Sequence, residues 1–290
     1  MTGRSRGLCI TIAGVFCLSP DGLLIRLIST DQWTLVFWRG AFMAAGLLAF
    51  ILLRNRNQAG AVLRAAGLPG LLAGAIFALS TVFFVTSILT TSVANTLVIL
   101  SAGPLFAAFF SRWILGEAIE LRTWAASVAV FAGLATIFGG SMRSGTLPGD
   151  LCALGSALCM AAYLVIVRRA GSLDMLPGAA LGGILAAIAV LPLAAPFSID
   201  LRNLALLALL GLFVQGASFG MITVGARHLP APEVGLIMLL EAVLGPLWVW
   251  LAIGEVPSPQ TFLGGSAILV SLAAHSAAGL VRSRSARTCF

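Results

Sequence analysis

The chain has 290 residues, of which 60% are hydrophobic and only 9% are charged. Soluble domains average about 45–50% apolar and about 25% charged residues, and a soluble fold of this length cannot hide so much apolar surface. The composition excludes a soluble enzyme or binding module and predicts an integral membrane protein whose solvent is the lipid bilayer.

The net charge of +7 comes from arginine alone, because the sequence contains no lysine. The arginines stand in short clusters between apolar runs and form no basic stripe interleaved with aromatic residues, as a nucleic-acid-binding module would have. We therefore expect no nucleic-acid partner and interpret the arginines as signals of membrane topology.

The five cysteines and two histidines show no metal-ligand spacing. Cys9, Cys17, Cys152 and Cys159 lie inside apolar runs and are interpreted as small packing residues. The sequence thus predicts no metal site and no cofactor. The first apolar run is followed by no clear cleavage site, so we expect it to be an uncleaved membrane span.

Ten apolar segments approach the roughly 20 residues that a membrane-spanning helix needs. The break between the third and fourth, near "LTTSV", is the least obvious, but merging these two would give a run too long for the bilayer. The sequence predicts an all-α integral membrane protein with helices over residues 7–28, 34–53, 67–89, 92–115, 123–140, 149–167, 175–195, 204–224, 232–253 and 260–281.

The distribution of arginines supports this count. With the N-terminus in the cytoplasm, 13 of the 17 arginines fall on the inner side, whereas Arg143 and Arg202 fall outside and Arg26 and Arg39 lie in or near the membrane. An error of one helix would scramble this positive-inside bias. We therefore predict a multi-pass protein of a bacterial-type cytoplasmic (inner) membrane, with both termini cytoplasmic.

An internal repeat is visible when residues 92–117 are aligned with residues 230–255. Each segment is one span with an internal Gly-Pro, and each ends in Gly-Glu (Gly116–Glu117 and Gly254–Glu255). The offset relates a first five-helix repeat, residues 1–140, to a second, residues 149–281, followed by a basic cytoplasmic tail, 282–290. Five spans per repeat make the two repeats inverted, a design common in secondary transporters.

Three short motifs suggest a family. They are "FWRG" (37–40), "GPLFAAFF" (103–110) and "LLEAVLGPLWVWLAIGE" (239–255). With the ten-helix repeat, the chain resembles the EamA-type branch of the drug/metabolite transporter superfamily, with the YddG-like amino acid exporters as the leading comparison. In one departure, Ala242 rather than proline follows Glu241, so the kink at Pro246 is expected nearer the outer side.

Charged residues within the spans need an explanation, because each costs about 2.5–3.5 kcal/mol at the bilayer centre on insertion scales. Asp21 and Arg39 are predicted at similar depth below the outer surface, so they are expected to pair in preference to Asp21 with Arg26. The pair is either a structural clasp between helices 1 and 2, or a gate or substrate contact near the outer vestibule.

Proline lies inside three predicted spans, at Pro20, Pro104 and Pro246. Each removes a helical hydrogen bond and is expected to kink its helix. The kinks are either simple curvature or hinges for alternating access. Small residues four positions apart, as in Gly70/Gly74, Gly178/Gly182 and Gly216/Gly220, predict close helix packing.

The resemblance implies a central cavity lined by helices 1, 3, 4, 6, 8 and 9. Plausible lining residues, and hence substrate-binding candidates, are Phe77, Ser80, Phe84, Tyr163, Gln215, Phe219 and Glu241. Glu241 is interpreted either as a partner of an interhelical hydrogen bond or as the group that recognises a substrate ammonium or carries a proton. For His275, an interhelical hydrogen bond is the simpler interpretation.

Three functions are compatible with these features. The first is export of a small amphipathic metabolite, most of all an amino acid with an apolar or aromatic side chain, by a monomer or a homodimer. The second is multidrug export of lipophilic cations, with Glu241 as counter-ion. The third, an intramembrane enzyme, is disfavoured because the spans lack paired deep aspartates and a His-Glu-x-x-His cluster, and no phosphate-binding loop accompanies them; no catalytic residue is predicted.

Overall fold

The structure is a computed structural model that describes residues 3–55, 60, 66–116, 121–169, 176–226, 228–229 and 231–288. The described residues form helices and no strands. We label the helices α1 to α10 in chain order. Seven are continuous: α2 (Gln32–Asn55), α3 (Gly67–Thr90), α5 (Leu121–Ser144), α6 (Leu147–Arg169), α7 (Leu176–Val190), α9 (Ala231–Ile253) and α10 (Pro259–Thr288).

The other three helices are interrupted. They are α1 (Gly3–Leu18 and Asp21–Leu27), α4 (Val93–Ser101 and Gly103–Leu115) and α8, which consists of Leu201–Ala208, a π-helical segment Leu209–Ala217, and Ser218–Ala226. The interruption of α1 falls at Pro20 and that of α4 at Ala102, two residues before Pro104. In contrast, α9 runs through Pro246 without a break, so a kink there stays a prediction.

Nine stretches of the described residues are long and apolar enough to cross a membrane, and together they include every helix except α7. At 15 residues, α7 is about 22 Å long and shorter than the roughly 30 Å hydrocarbon core. The predicted span 175–195 was too long at its end, because α7 stops at Val190. Pro192 explains the stop, since the residue before a proline disfavours the helical conformation.

Successive helices run in alternating directions. Gly7 of α1 lies against Gly225 of α8, and Gly14 lies against Ile222, so these two helices are antiparallel. The same reasoning makes α2 parallel to α8, α3 antiparallel to α6, and α5 antiparallel to α10. We call the end at which α1 begins the near end, and the opposite end, which holds the α1–α2 turn, the far end.

Close approach of glycine backbones joins the two halves of the chain. A Cβ atom added to Gly74 of α3 would lie 3.0 Å from the carbonyl oxygen of Gly178 in α7, and one added to Gly183 of α7 would lie 2.6 Å from that of Gly40 in α2. Without a hydrophobic driving force between helices in lipid, such small-residue contacts permit tight packing. The predicted role of the Gly178/Gly182 pair is confirmed.

The ends of α4 and α9 match the internal repeat. Both helices stop at a glycine, Gly116 and Gly254, and each glycine has a φ of +71°. This left-handed conformation ends helices and favours glycine, which has no Cβ to clash. The break at "LTTSV" is also present, with Ser92 capping α4 through the N–H of Asn95. Glu117 lies outside the described residues. The segment 282–288 of the predicted tail continues α10 as a helix.

Candidate functional site

An ion pair joins α1 to α2 within the bundle. Asp21 opens the second part of α1 just after the break at Pro20. Nη2 of Arg39 lies 2.9 Å from Oδ2 of Asp21, and the residues are only 4% and 3% exposed. Asp21 therefore pairs with Arg39 and not with Arg26.

Both members of this pair retain hydrogen-bonding capacity. Oδ1 of Asp21 and Nε of Arg39 are buried and have no hydrogen-bond partner among the described residues. The guanidinium of Arg39 also lies over the ring of Phe84, 5.2 Å from its centroid, in a cation–π contact. One hydrogen bond and one aromatic face thus hold Arg39, while one oxygen of Asp21 can accept from a further donor.

Glu241 of α9 is a third charged side chain in this part of the bundle, about two helical turns from the ion pair. It is partly buried and interacts electrostatically with both Asp21 and Arg39. The indole N–H of Trp248, two turns further along α9, donates to Ser19 Oγ at 2.8 Å and so fixes α9 beside the break in α1. We call Asp21, Arg39 and Glu241 the charge cluster; it contains one residue from the second half of the chain and two from the first.

Three of the predicted lining residues meet as an aromatic group, consisting of Phe77 of α3, Tyr163 of α6 and Phe219 of α8. The ring of Phe77 lies 5.4 Å from that of Tyr163 and 5.8 Å from that of Phe219, both in edge-to-face geometry. Phe77 and Tyr163 are buried. Phe219 also packs against the hydrophobic core that contains Phe84, so the aromatic group is continuous with the packing below Arg39.

The charge cluster and the aromatic group occupy neighbouring depths. Counted from the far ends of their helices at 1.5 Å per residue, Asp21 and Arg39 lie about 9–10 Å deep, whereas Glu241 and Phe77 lie about 18–20 Å deep. Glu241 is therefore at the level of the first aromatic ring and about two helical turns below the ion pair.

Two other predicted lining residues have different surroundings. The hydroxyl of Ser80 lies 3.0 Å from that of Ser156, and each serine also donates to the other's carbonyl oxygen at 3.2 and 3.1 Å. Ser80 thus fastens α3 to α6 rather than facing the aromatic group. Gln215 is buried in the π-helical segment of α8. π-Helical turns frequently mark functional sites. The apolar pattern of the sequence did not predict the π-helical segment of α8.

A second ion pair lies at the far end. Nη2 of Arg26 lies 3.3 Å from Oε2 of Glu255, and it donates to the carbonyl oxygen of Thr91 at 2.6 Å. The other oxygen of Glu255 accepts from the N–H of Val93 at 2.9 Å. We call Arg26, Thr91, Val93 and Glu255 the far-end latch; it ties α1 and the α3–α4 turn to the end of α9, and hence one half of the chain to the other.

Replacing Arg26 by glutamine is expected to open the far end more often. The side chains of Arg26 and Glu255 are about a quarter exposed. We therefore expect the loss of their ion pair to change the free energy of opening by about 1 kcal/mol, which is about fivefold in the opening equilibrium. The measurement is the rate at which a membrane-impermeant maleimide labels Cys17, two residues before the break in α1, in a chain whose other cysteines are replaced by alanine. An unchanged rate, or an equal rise with the exposed far-end control Arg202→Gln, would contradict the latch.

A buried polar network that the sequence did not reveal lies at the same end. Asp150 in the first turn of α6 is fully buried and accepts hydrogen bonds from Thr91 at 2.6 Å, from the Asn95 amide at 3.1 Å, and from Ser141. The hydroxyl of Thr261 in α10 donates to Oδ1 of the Asn95 side chain. This buried network (Thr91, Asn95, Ser141, Asp150, Thr261) connects four helices and the α3–α4 turn, and the N-terminus of α6 favours its negative charge.

Asp31 is a carboxylate outside these clusters. It lies exposed at the far end, where Oδ1 accepts from the N–H groups of Trp33 and Thr34 at 3.0 and 2.9 Å. Desolvation raises its pKa, but hydrogen bonds from Thr34 and Trp33 outweigh this effect, so the pKa of Asp31 is below its ordinary value. Asp31 is therefore ionised at neutral pH and serves as a comparison for the charge cluster.

A small cavity lies towards the near end, between α4, α5, α9 and α10. Its volume is about 60 Å³, and its walls include Pro104, Leu239 and His275. Since a water molecule occupies about 30 Å³, this cavity is too small for an amino acid. Among the described residues, no three His, Cys, Asp or Glu side chains come together to bind a metal ion.

The EamA-like transporter family model matches the chain twice, over residues 5–139 and 147–276. No protein with curated annotation matches it. A solved structure described as "Crystal structure of protein" superposes with a TM-score of 0.66 at 20% sequence identity, over 97% of this chain and 99% of the other. At that identity the likeness shows a shared fold alone.

Proposed function

The chain belongs to the EamA-like transporter family and is a multi-pass membrane transporter, and from this we propose that it exports amino acids with apolar or aromatic side chains by alternating access. This substrate class is that of the YddG-like exporters that the sequence resembles. We place the protein in a bacterial-type cytoplasmic membrane with the near end and both termini in the cytoplasm, because the arginines predict this orientation.

The proposed architecture is ten spans in two inverted halves. Alternating helix directions and the two matches of the family model support it. Helix α1 runs from the near to the far end and α6 in the opposite direction, as inverted repeats require. In this arrangement α7 is a short tenth span, packed between α2 and α3 through glycine contacts.

The observation that carries the substrate class is that Glu241 lies at the depth of the aromatic group, while the Asp21–Arg39 ion pair lies about two helical turns nearer the far end. An amino acid has a carboxylate, an ammonium and a side chain. Arg39 matches the first, Glu241 matches the second, and Phe77 and Phe219 match an apolar or aromatic side chain. Binding energy in such sites comes from the apolar surface, while few polar groups fix orientation.

A multidrug exporter of lipophilic cations is the second candidate. The observation that favours it is the net negative balance of the charge cluster, with two carboxylates for one guanidinium. A cation would use Glu241 as its counter-ion and would leave Arg39 without a function in binding. The two candidates therefore differ in whether the ligand needs a carboxylate.

Substrate competition in proteoliposomes tests the proposed function. We expect labelled L-phenylalanine to show counterflow, with unlabelled leucine, methionine and tryptophan competing and tetraethylammonium failing to compete. Replacing Phe77 by leucine, which keeps an apolar core, is expected to weaken phenylalanine binding about 5- to 10-fold, because an edge-to-face contact contributes about 0.5–1.5 kcal/mol.

The matched control is Phe131→Leu in α5, an aromatic residue that is half exposed on the surface of the bundle. It should leave the apparent affinity for phenylalanine unchanged. Competition by tetraethylammonium but by none of about twenty amino acids would reject the amino acid assignment and support the cation exporter.

A further inference from the structure

We propose that the second part of α1, Asp21–Leu27, is a lid over the aromatic group, and that it opens the far end by swinging at the break around Pro20. The first part of α1 stays in place during this movement. The inference rests on alternating access in the proposed function and not on the substrate class. It goes further in naming the segment that moves and the bonds that break.

The lid is a short helix between two interruptions of the chain. It follows the break at Ser19 and Pro20, and it ends before Ile28, whose backbone is extended, with φ −83° and ψ 118°. Proline has no N–H, so residue 20 donates no helical hydrogen bond to the first part of α1. The seven residues of the lid can therefore turn as a unit while the rest of α1 stays helical.

The lid lies among four helices that come from both halves of the chain. It packs against α3, α8 and α9, and a Cβ atom added to Gly22 would lie 2.7 Å from Cγ1 of Val93 in α4. Leu24 and Ile25 belong to the same hydrophobic core as Phe84. At 1.5 Å per residue the lid reaches about 9 Å below the far end, whereas the aromatic group begins about 20 Å deep. The lid therefore separates the aromatic group from the far end.

Polar bonds hold the lid at its start and at its tip. At the start, Asp21 binds Arg39 at 2.9 Å, and both side chains are buried beside the break. At the tip, Arg26 binds Glu255 at 3.3 Å and donates to the carbonyl oxygen of Thr91 at 2.6 Å, in the partly exposed far-end latch. The ion pair at the start lies at the pivot, so it stays made while the latch at the tip breaks.

The turn after the lid is held by one side chain of α8. The N–H of Ser29 donates to Oδ1 of Asn203 at 3.1 Å, and Nδ2 of Asn203 donates to the carbonyl oxygen of Ser29 at 3.2 Å. Ser29 is exposed, so water can replace these two bonds when the lid swings outwards. Opening thus breaks bonds at the exposed tip and keeps the buried one at the pivot.

A disulfide across the lid tests this movement in reconstituted protein whose native cysteines are replaced by alanine. Gly22→Cys is combined with Val93→Cys, because the added Cβ atom lies 2.7 Å from Cγ1 of Val93 and a cysteine places its sulfur at a Cγ position. Oxidation is expected to lower counterflow of labelled L-phenylalanine to the background of protein-free vesicles, because the lid can no longer leave α4. Dithiothreitol should restore it.

The matched control joins Gly14→Cys to Ile222→Cys, where the added Cβ atom lies 2.8 Å from Cγ1 of Ile222. This disulfide fixes the first part of α1 to α8, so counterflow is expected to persist after oxidation. Loss of free thiols measures the formation of each disulfide. Counterflow that survives oxidation of the lid disulfide would overturn the proposal. Equal inhibition by both disulfides would do the same, because α1 would then move as one rigid helix.

A labelling experiment tests the lid without any substrate. Ile25 in the lid and Ile137 in α5 are both fully buried, and each is replaced by cysteine in the cysteine-free chain. Addition of Arg26→Gln is expected to raise the rate at which a membrane-impermeant maleimide labels Ile25→Cys about fivefold. The labelling of Ile137→Cys should not change. An unchanged rate at Ile25→Cys, or an equal rise at both positions, would refute the lid.

The two experiments separate failure of the lid from failure of the proposed function. Phenylalanine counterflow that the lid disulfide does not affect would reject the lid and leave the proposed function intact. The absence of counterflow for every amino acid would reject the proposed function instead. The labelling rate of Ile25→Cys would then decide on the lid alone, since it requires no substrate.

Discussion

Replacing Arg39 by methionine is expected to lower the free energy of unfolding by about 3–5 kcal/mol, the range found when one partner of a buried ion pair is removed. Methionine approximates the length of arginine without its charge, so Asp21 is left buried with no guanidinium beside it. The cation–π contact with Phe84 is lost as well. The measurement is the thermal unfolding midpoint of the purified protein in detergent.

A double variant separates the loss of the pair from the loss of packing. Asp21→Asn combined with Arg39→Met removes both charges and is expected to recover most of the stability lost in Arg39→Met. The exposed carboxylate variant Asp31→Asn should change the midpoint little. A double variant no more stable than Arg39→Met would show that packing, and not the unpaired charge, accounts for the loss.

Transport by the Asp21→Asn variant distinguishes the two roles considered for the ion pair. We favour a structural clasp, because Arg39 and Asp21 lie on consecutive helices and are buried together. A clasp predicts counterflow of phenylalanine at the normal rate in a less stable protein. Loss of counterflow in a well-folded variant would identify the pair as a gate.

Replacing Asp150 by alanine is expected to destabilise the protein by about 3 kcal/mol, because three donors lose their acceptor. Hydrogen bonds to a charged group contribute about 1.5–3 kcal/mol each in soluble proteins, while interhelical bonds in membranes average about 0.6. The donors are the side chains of Thr91, Asn95 and Ser141. The thermal unfolding midpoint should fall, and α6 should detach from α5 more readily in limited proteolysis.

The matched control is Asp200→Asn at the start of α8. Asp200 is another aspartate at the start of a far-end helix, but it is exposed and caps its own helix through Asn203. Its pKa is lowered by the side-chain hydrogen bond from Asn203, so Asp200 is ionised at neutral pH. Asparagine caps helices as well as aspartate, so this variant should be near neutral. An equally small effect of Asp150→Ala would contradict a stabilising role for the buried network.

Most of the helices were predictable because lipid imposes one strong rule on the sequence. A span must satisfy its backbone internally and present about 20 apolar residues, so long apolar runs bounded by charge identify it. The seventh span was too long because hydrophobicity continues past Val190, whereas Pro192 stops the helix. The π-helical segment of α8 escaped prediction because apolar periodicity does not distinguish it from an α-helix.

The candidate site was predictable only at residues whose charge has a high free-energy cost inside the membrane. Asp21, Arg39 and Glu241 stood out because charges in apolar runs are expensive, and equal predicted depth gave the correct partner for Asp21. Ser80 carried no such signal, and its contact with Ser156 depends on how α3 packs against α6. Asp150 was overlooked because it lies at the start of a span, where an acidic residue is unremarkable.

The sequence by itself determined that this is a membrane protein, where most of its helices lie, and which family it resembles. These features depend on composition and periodicity, which are local properties of the chain. Only the tertiary structure decided which distant residues meet. Arg26 and Glu255 are separated by most of the chain yet form one latch, and Trp248 of α9 donates a hydrogen bond to Ser19 beside the break in α1. Such encounters follow from the packing of the two halves against each other, which no local pattern of residues records.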